Sequence, residues 1–294
     1  MTATATTPST VAQALAAAVA LGVDRLDAQL LLLHALGRPA ADRAWLIAHD
    51  EDVLDAAASQ RYDALCRRRA DGEPIAYLIG EKEFFGLPLA VDARVLVPRP
   101  DTETLVEWAL DVLRDLPAPG VLDLGTGSGA IALAIQSARP DARVEAVDRS
   151  ADALEVAAGN AHRLGLPVAF RQADWLEGAV AYDLIVSNPP YVTHAETDAL
   201  PAEYAHEPEM GLRAGDDGLD LVLKILRDAP LHLSQDGLLI CEVGESERAL
   251  VRLLPDVEFA WIEFKVGQMG IFAVECAELI RHNAQIRALA DARK

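Results

Sequence analysis

Val121-Leu122-Asp123-Leu124-Gly125-Thr126-Gly127-Ser128-Gly129-Ala130 is an apolar strand that runs into three alternating glycines and then into a helical pattern. Glycine at such a junction permits a tight turn, lets a ligand approach the backbone, and leaves N–H groups exposed at the helix start. The stretch therefore predicts a nucleotide-type site. Gly125-x-Gly127-x-x-Ala130 also satisfies the dinucleotide fingerprint, so the loop alone leaves the ligand open. Outward from it, the chain beyond Pro100 alternates strand, turn and helix, the rhythm of an α/β domain whose mostly parallel sheet is covered on both faces. Strands are predicted at Val121 to Leu124, Val144 to Val147, Val168 to Arg171, Leu184 to Val186, Leu238 to Val243 and Ile271 to Val274. Helices are predicted to begin near Asp101, Ala130, Ser150 and Leu219.

Upstream the pattern differs. From Thr10 to about Ala70, apolar residues recur at three and four positions, as in Val11, Leu15, Val19 and again in Leu26, Leu30, Leu33, with stops at Gly22, Gly37-Arg38-Pro39 and Asp71-Gly72. That predicts a small helical bundle. Between Pro74 and Pro100 come short runs, Ile75 to Ile79, Phe84-Phe85, Leu87 to Val91 and Val95 to Val97, broken by Gly80, Gly86, Pro88 and Asp92. They predict a β-hairpin at the joint. The expected domains are a helical one over 1–73, a hairpin linker over 74–97, and the α/β domain over 98–294.

Composition sets the limits. The 294 residues are 51% hydrophobic and 24% charged, which excludes wholesale disorder and fibrous repeats. A formal net charge of −20 makes a general nucleic-acid binder a poor expectation, because neutralising phosphates requires clustered Lys and Arg. The compact basic run Arg67-Arg68-Arg69 reads as a solvated helix end. Cys66, Cys241 and Cys276 have no CxxC spacing, which points to a reducing cytoplasm, and the seven histidines show no metal spacing, so no metal is expected. No Lys or Arg precedes Arg25 and no apolar run approaches a bilayer's width, so neither a secretory signal nor a membrane span is expected.

Two further features carry chemistry. Asp148 ends the strand after the glycines, where a carboxylate can accept hydrogen bonds from ribose hydroxyls. Asp174-Trp175 follows the third strand and offers an acceptor plus an aromatic face suited to adenine. The second feature is Leu184-Ile185-Val186-Ser187-Asn188-Pro189-Pro190-Tyr191, a buried strand ending in a rigid turn. There the Asn188 side-chain oxygen and the Pro189 carbonyl can serve as paired acceptors for one NH2 group, with Tyr191 covering a planar face. An amide nitrogen is a weak nucleophile because resonance delocalises its lone pair. Holding both N–H bonds favours pyramidalisation and directs the lone pair at an electrophile. Glu242 and Glu103 can add negative charge to the same crevice.

With these motifs the chain resembles the HemK/PrmC-type protein-(glutamine-N5) methyltransferases. The resemblance spans Asp27 to Leu32, Gly72-Glu73-Pro74-Ile75-Ala76-Tyr77 with Gly80, Val97-Pro98-Arg99-Pro100-Asp101-Thr102-Glu103, the glycine loop, Asp148, Asp174-Trp175 and Asn188 to Tyr191. It implies a Rossmann-like class I methyltransferase sheet with a small N-terminal helical domain that docks the protein substrate. It implies S-adenosylmethionine as cofactor, with its methionine part on Gly125, Thr126, Gly127, Ser128 and Gly129, its ribose on Asp148, its adenine on Trp175, and Asn188 also among the cofactor-binding residues. Asn188, Pro189, Pro190 and Tyr191 would receive a glutamine of a Gly-Gly-Gln motif in a peptide chain release factor, the expected partner in translation termination. Residues up to about Val192 resemble that branch. Leu200-Pro201-Ala202-Glu203-Tyr204, His206-Glu207-Pro208-Glu209, Cys241-Glu242-Val243-Gly244 and the tail Trp261-Ile262-Glu263-Phe264-Lys265 with Gly270-Ile271-Phe272 resemble the branch that methylates a large-subunit ribosomal protein, the alternative substrate. A nucleic-acid amino-methyltransferase shares the Asn-Pro-Pro-Tyr turn, and a nicotinamide-dependent dehydrogenase fits the glycines and Asp148 but not the paired acceptors.

Overall fold

Capped, amphipathic segments build the N-terminal part of this computed structural model, which describes residues 9–176, 181–193, 201–211, 214–262 and 270–293. Two units separate by their internal packing, Met1–Gly80 with Pro201–His206 and Glu81–Leu200 with Glu207–Lys294. The first holds α1 (Val11–Ala20), α2 (Arg25–Ala35), α3 (Arg43–Ala48), α4 (Ala56–Ala70) and α5 (Ile75–Ile79). Thr10 and Gln13 form a reciprocal capping box on α1, while Asp24 and Asp55 cap α2 and α4. The core is Val11, Ala14, Ala18, Ala28, Leu31, Leu32, Leu33, Tyr62 and Cys66. The predicted stripe is partly displaced: Val19 and Leu26 are exposed, because the helices meet along the small Ala14, Ala18 and Ala28, which the apolar spacing undercounts.

Two expectations for this unit change. Ile75–Ile79 is a short buried helix and not a strand. Pro74 starts it and Gly80 closes it in the left-handed conformation, and a five-residue apolar run does not by itself distinguish helix from strand. Arg67 and Arg68 form the solvated helix end, but Arg69 turns inward, pairing with Asp27 at 2.6 Å and with Glu203.

The second unit opens with the antiparallel hairpin β1 (Glu81–Phe84) and β2 (Leu87–Ala90); Val95 to Val97 is irregular and adds no strand. After α6 (Glu103–Leu113) come β3 (Gly120–Leu124), α7 (Ala130–Ala138), β4 (Arg143–Asp148), α8 (Ala151–Leu164), β5 (Ala169–Gln172) and β6 (Tyr182–Ser187). Then follow α9 (Asp220–Asp228), β7 (Leu233–Gly244), α10 (Glu247–Leu253), β8 (Ala260–Trp261), β9 (Gly270–Glu275) and α11 (Cys276–Asp291). The sheet order is β5-β4-β3-β6-β7-β9-β8, parallel through β7, with β9 antiparallel to both β7 and β8. All six predicted strands are present. The two-residue β8 and the helices α10 and α11 had no prediction.

The order reverses between β3 and β6, which pair directly with Leu124 opposite Ser187. Apolar layers cover both faces, one containing Leu124, Ile185, Leu223 and Phe272, the other Val121, Leu133, Leu184 and Ile240. The family-like residues Leu200, Glu263, Phe264 and Lys265 lie outside the described residues.

Candidate active site

A ligand crevice is expected where neighbouring parallel strands diverge to opposite helical layers, beyond their carboxyl ends. The register meets that condition. Leu124 and Ser187 are partners, so Gly125 and Asn188 leave the sheet side by side, and the Ser187 hydroxyl donates to the Leu124 carbonyl at 2.8 Å to lock the two ends together. A cavity opens there, lined by Gly125, Thr126, Gly127, Ser128, Asp148, Trp175, Asn188 and Pro190, and also by Leu96, Arg99 and Thr102. Gly129, Pro189 and Tyr191 do not line it. Glu103 accepts from the Phe85 N–H at 3.0 Å, and Glu242 is wholly buried, so neither carboxylate forms the crevice wall.

The glycines divide by function. Gly125 and Gly127 have positive φ and open space where a Cβ would stand, which keeps a cradle clear. Gly129 also has positive φ, but its Cβ would meet Leu133 Cδ1 at 3.0 Å and Ala157 Cβ at 3.2 Å, so it serves helix packing. Four N–H groups of the loop before the helix are already engaged. Gly125 and Thr126 donate to the Val147 carbonyl at 2.9 and 3.0 Å, Gly129 donates to Thr126 at 2.9 Å, and Gly127 donates to Asp148 Oδ2 at 3.0 Å.

Asp148 Oδ1 accepts from the Ser150 N–H at 2.9 Å. A carboxylate offers about four acceptor positions, so with one bond on each oxygen Asp148 still has capacity for a vicinal diol. Trp175 stands on the wall with φ of 75°, a left-handed conformation uncommon for an aromatic residue. Asn188 donates from Nδ2 to Thr102 Oγ1 at 3.0 Å, so its other end, Oδ1, is the acceptor that can serve a ligand. Tyr191 donates its hydroxyl to Glu242 Oε1 at 3.0 Å.

Several contributors had only faint sequence signals. Asp123 is buried under the loop, accepting from Thr126 Oγ1 at 2.6 Å and the Ala132 N–H at 3.1 Å, and burial pushes its carboxyl up to about 7. Asn160 bridges Ala90 of the hairpin, in both directions at 2.7 and 3.0 Å, and the Ser128 carbonyl at 3.0 Å. In the sequence Thr102 is one residue of the family-like stretch Val97 to Glu103, and only the structure shows its contact with Asn188.

The sheet order and the crevice at its reversal define a class I methyltransferase, and a model of the methyltransferase small domain matches residues 103–206. A model of the PrmC N-terminal domain matches residues 9–80. The chain is 55% identical over 272 residues to the ribosomal protein uL3 glutamine methyltransferase of Xanthomonas campestris pv. campestris, covering 91% of this chain and 87% of that one. Two relatives from Xylella fastidiosa (strain Temecula1) are a ribosomal protein uL3 glutamine methyltransferase, 51% identical over 90% of this chain and 85% of that one, and a release factor glutamine methyltransferase, 46% identical over 82% and 88%. The chain belongs to the HemK/PrmC-type family of protein-glutamine methyltransferases, and S-adenosylmethionine is its methyl donor. The clear space over Gly125 and Gly127 and the spare acceptor capacity of Asp148 fit that donor.

Proposed function

We propose that the chain methylates the side-chain amide nitrogen of a glutamine in large-subunit ribosomal protein uL3. The observation that carries the choice of substrate is the Xylella pair: two enzymes of one organism, of which the uL3 enzyme is the more similar, at 51% against 46%. The release-factor substrate expected from the first 192 residues gives way to the alternative. The cytoplasm, where ribosomes are assembled, is the location that goes with it, and no described helix is long and apolar enough to cross a membrane.

In this reading Gly125, Thr126, Gly127 and Ser128 hold the methionine part of the donor, Asp148 its ribose and Trp175 its adenine. Bound there, S-adenosylmethionine supplies a methyl group made electrophilic by its sulfonium. The Asn188 Oδ1 on the cavity wall accepts one N–H bond of the glutamine and the carbonyl of the next residue, Pro189, which lies just off that wall, accepts the other, with Pro190 on the wall and Tyr191 anchored behind the turn by Glu242. Gripping both protons weakens the amide resonance and directs the nitrogen lone pair along the attack line. Held there, the nitrogen would receive the methyl group that the donor supplies, the donor leaving as the neutral thioether, and would then give up one proton. No strong base is required, since a methylated amide cation is acidic.

The test is incubation with labelled donor and, in separate reactions, purified uL3 and a purified release factor, followed by mass mapping. Label on one glutamine of uL3, with kcat/KM well above that for the release factor, is expected. Label confined to the release factor overturns the substrate assignment, and label on neither protein overturns the reading as a whole.

A further inference from the structure

Cys241 of β7 pairs with Ser187 of β6, so Glu242 sits directly behind the Asn188 turn. Its side chain is wholly buried. The Tyr191 hydroxyl donates to Oε1, Oε2 has no hydrogen-bond partner, and no cation pairs with the carboxylate among the described residues. Burying an acceptor-only anion without a cation is costly, so the groups it orders are informative. Beside it, buried Thr102 accepts from Asn188 Nδ2 at 3.0 Å. A hydroxyl that accepts through its oxygen still has its own proton to place. Burial pushes the Glu242 carboxyl up, and among the groups that hold it down are Thr102, Tyr191 and Asn188, while Asp101 adds to the rise. Thr102 and Asn188 thus stand near enough to the carboxylate to favour its charged form, and the Thr102 proton, not used in the Asn188 bond, is the one that can turn toward it.

The two ends of a carboxamide are almost the same shape, so packing alone does not choose between them. We infer that Glu242 is a positioning residue that fixes which end of the Asn188 amide faces the cavity. The anion attracts the Thr102 proton, which turns the Thr102 oxygen toward the Asn188 NH2 and leaves Asn188 Oδ1 for the ligand. Turned the other way, Asn188 would set N–H against the N–H of the glutamine, donor against donor. This inference rests on the reading of Asn188 as a holder of the substrate amide.

The test uses the full-length enzyme with uL3 and compares Glu242→Gln, Thr102→Val, Thr102→Ser and the double variant Glu242→Gln/Thr102→Val with wild type. Glutamine keeps the volume but replaces an obligatory acceptor with an amide. The expected result is a fall in kcat of about 10- to 100-fold for Glu242→Gln and Thr102→Val, with donor affinity and the KM for uL3 nearly unchanged. Thr102→Ser, which restores the hydroxyl, should keep most of the turnover, and the double variant should be no worse than the poorer single one. Wild-type kcat in Glu242→Gln, equal losses in Thr102→Ser and Thr102→Val, or strictly multiplicative losses in the double variant overturn the inference while leaving the function intact. If Glu242→Gln does not fold, the serine–valine comparison at Thr102 decides. Absence of glutamine methylation by the wild-type enzyme overturns both readings at once.

Discussion

Asp148 and Asp123 show how two carboxylates a few residues from the same glycines take different parts. Asp148 faces the cavity and keeps acceptor capacity beyond its two backbone N–H donors. Asp123 is buried, and its Oδ1 has no hydrogen-bond partner among the described residues. Burial is the main cause of its rise to about 7, Thr126 and Ala132 oppose it, and the charge of Asp148 adds to it. A carboxyl with a raised folded-state pKa favours folding at low pH, and that advantage is lost as pH climbs from the ordinary value of 3.8 through about 7. Stability of the wild type relative to Asp123→Asn should therefore decline across that window, by up to about 4 kcal/mol, and level off above it. Denaturant unfolding of both proteins at several pH values checks this; a pH-independent difference would show that burial leaves the Asp123 carboxyl at its ordinary pKa.

At the scale of elements, the strand–loop–helix from Val121 to Ala130 was legible because glycine spacing and apolar runs are local signals. The same locality explains the misreading at Ile75–Ile79, where a short apolar run became a helix between Pro74 and Gly80. It also explains why β8 had no prediction, since a two-residue edge strand exists only through its pairing with β9. The hairpin depends on a non-local tie of the same kind: Asn160 of α8 satisfies both the N–H and the carbonyl of Ala90 and also reaches the Ser128 carbonyl. Asn160→Ala would leave these partners unsatisfied at about 1–3 kcal/mol each where water does not replace the bond. The expected outcome is a loss of about 3 kcal/mol in stability, with faster hydrogen exchange at the Ala90 amide and unchanged protection in β3 and β6. Unchanged exchange at Ala90 would mean that β1 alone holds β2.

For the whole molecule, the glycine loop and the Asn188 turn are separated by a long stretch of chain and become neighbours only because the sheet order reverses between β3 and β6. Each motif was readable alone, but their meeting was conditional on that pairing. The contacts of Thr102, Asn160 and Glu242 were hidden because each is made with a residue distant in sequence. Substrate choice was the least legible property. The chain resembles two branches in different stretches, and only full-length similarity favours uL3. The adjacency of donor cradle and amide grip is tested most directly by kcat of Asn188→Ala on uL3, at donor concentrations shown by calorimetry to saturate the variant. A fall of about 10²-fold or more, with the donor still bound, is expected from losing one acceptor aimed at the reacting nitrogen. Turnover equal to the wild type would contradict the account.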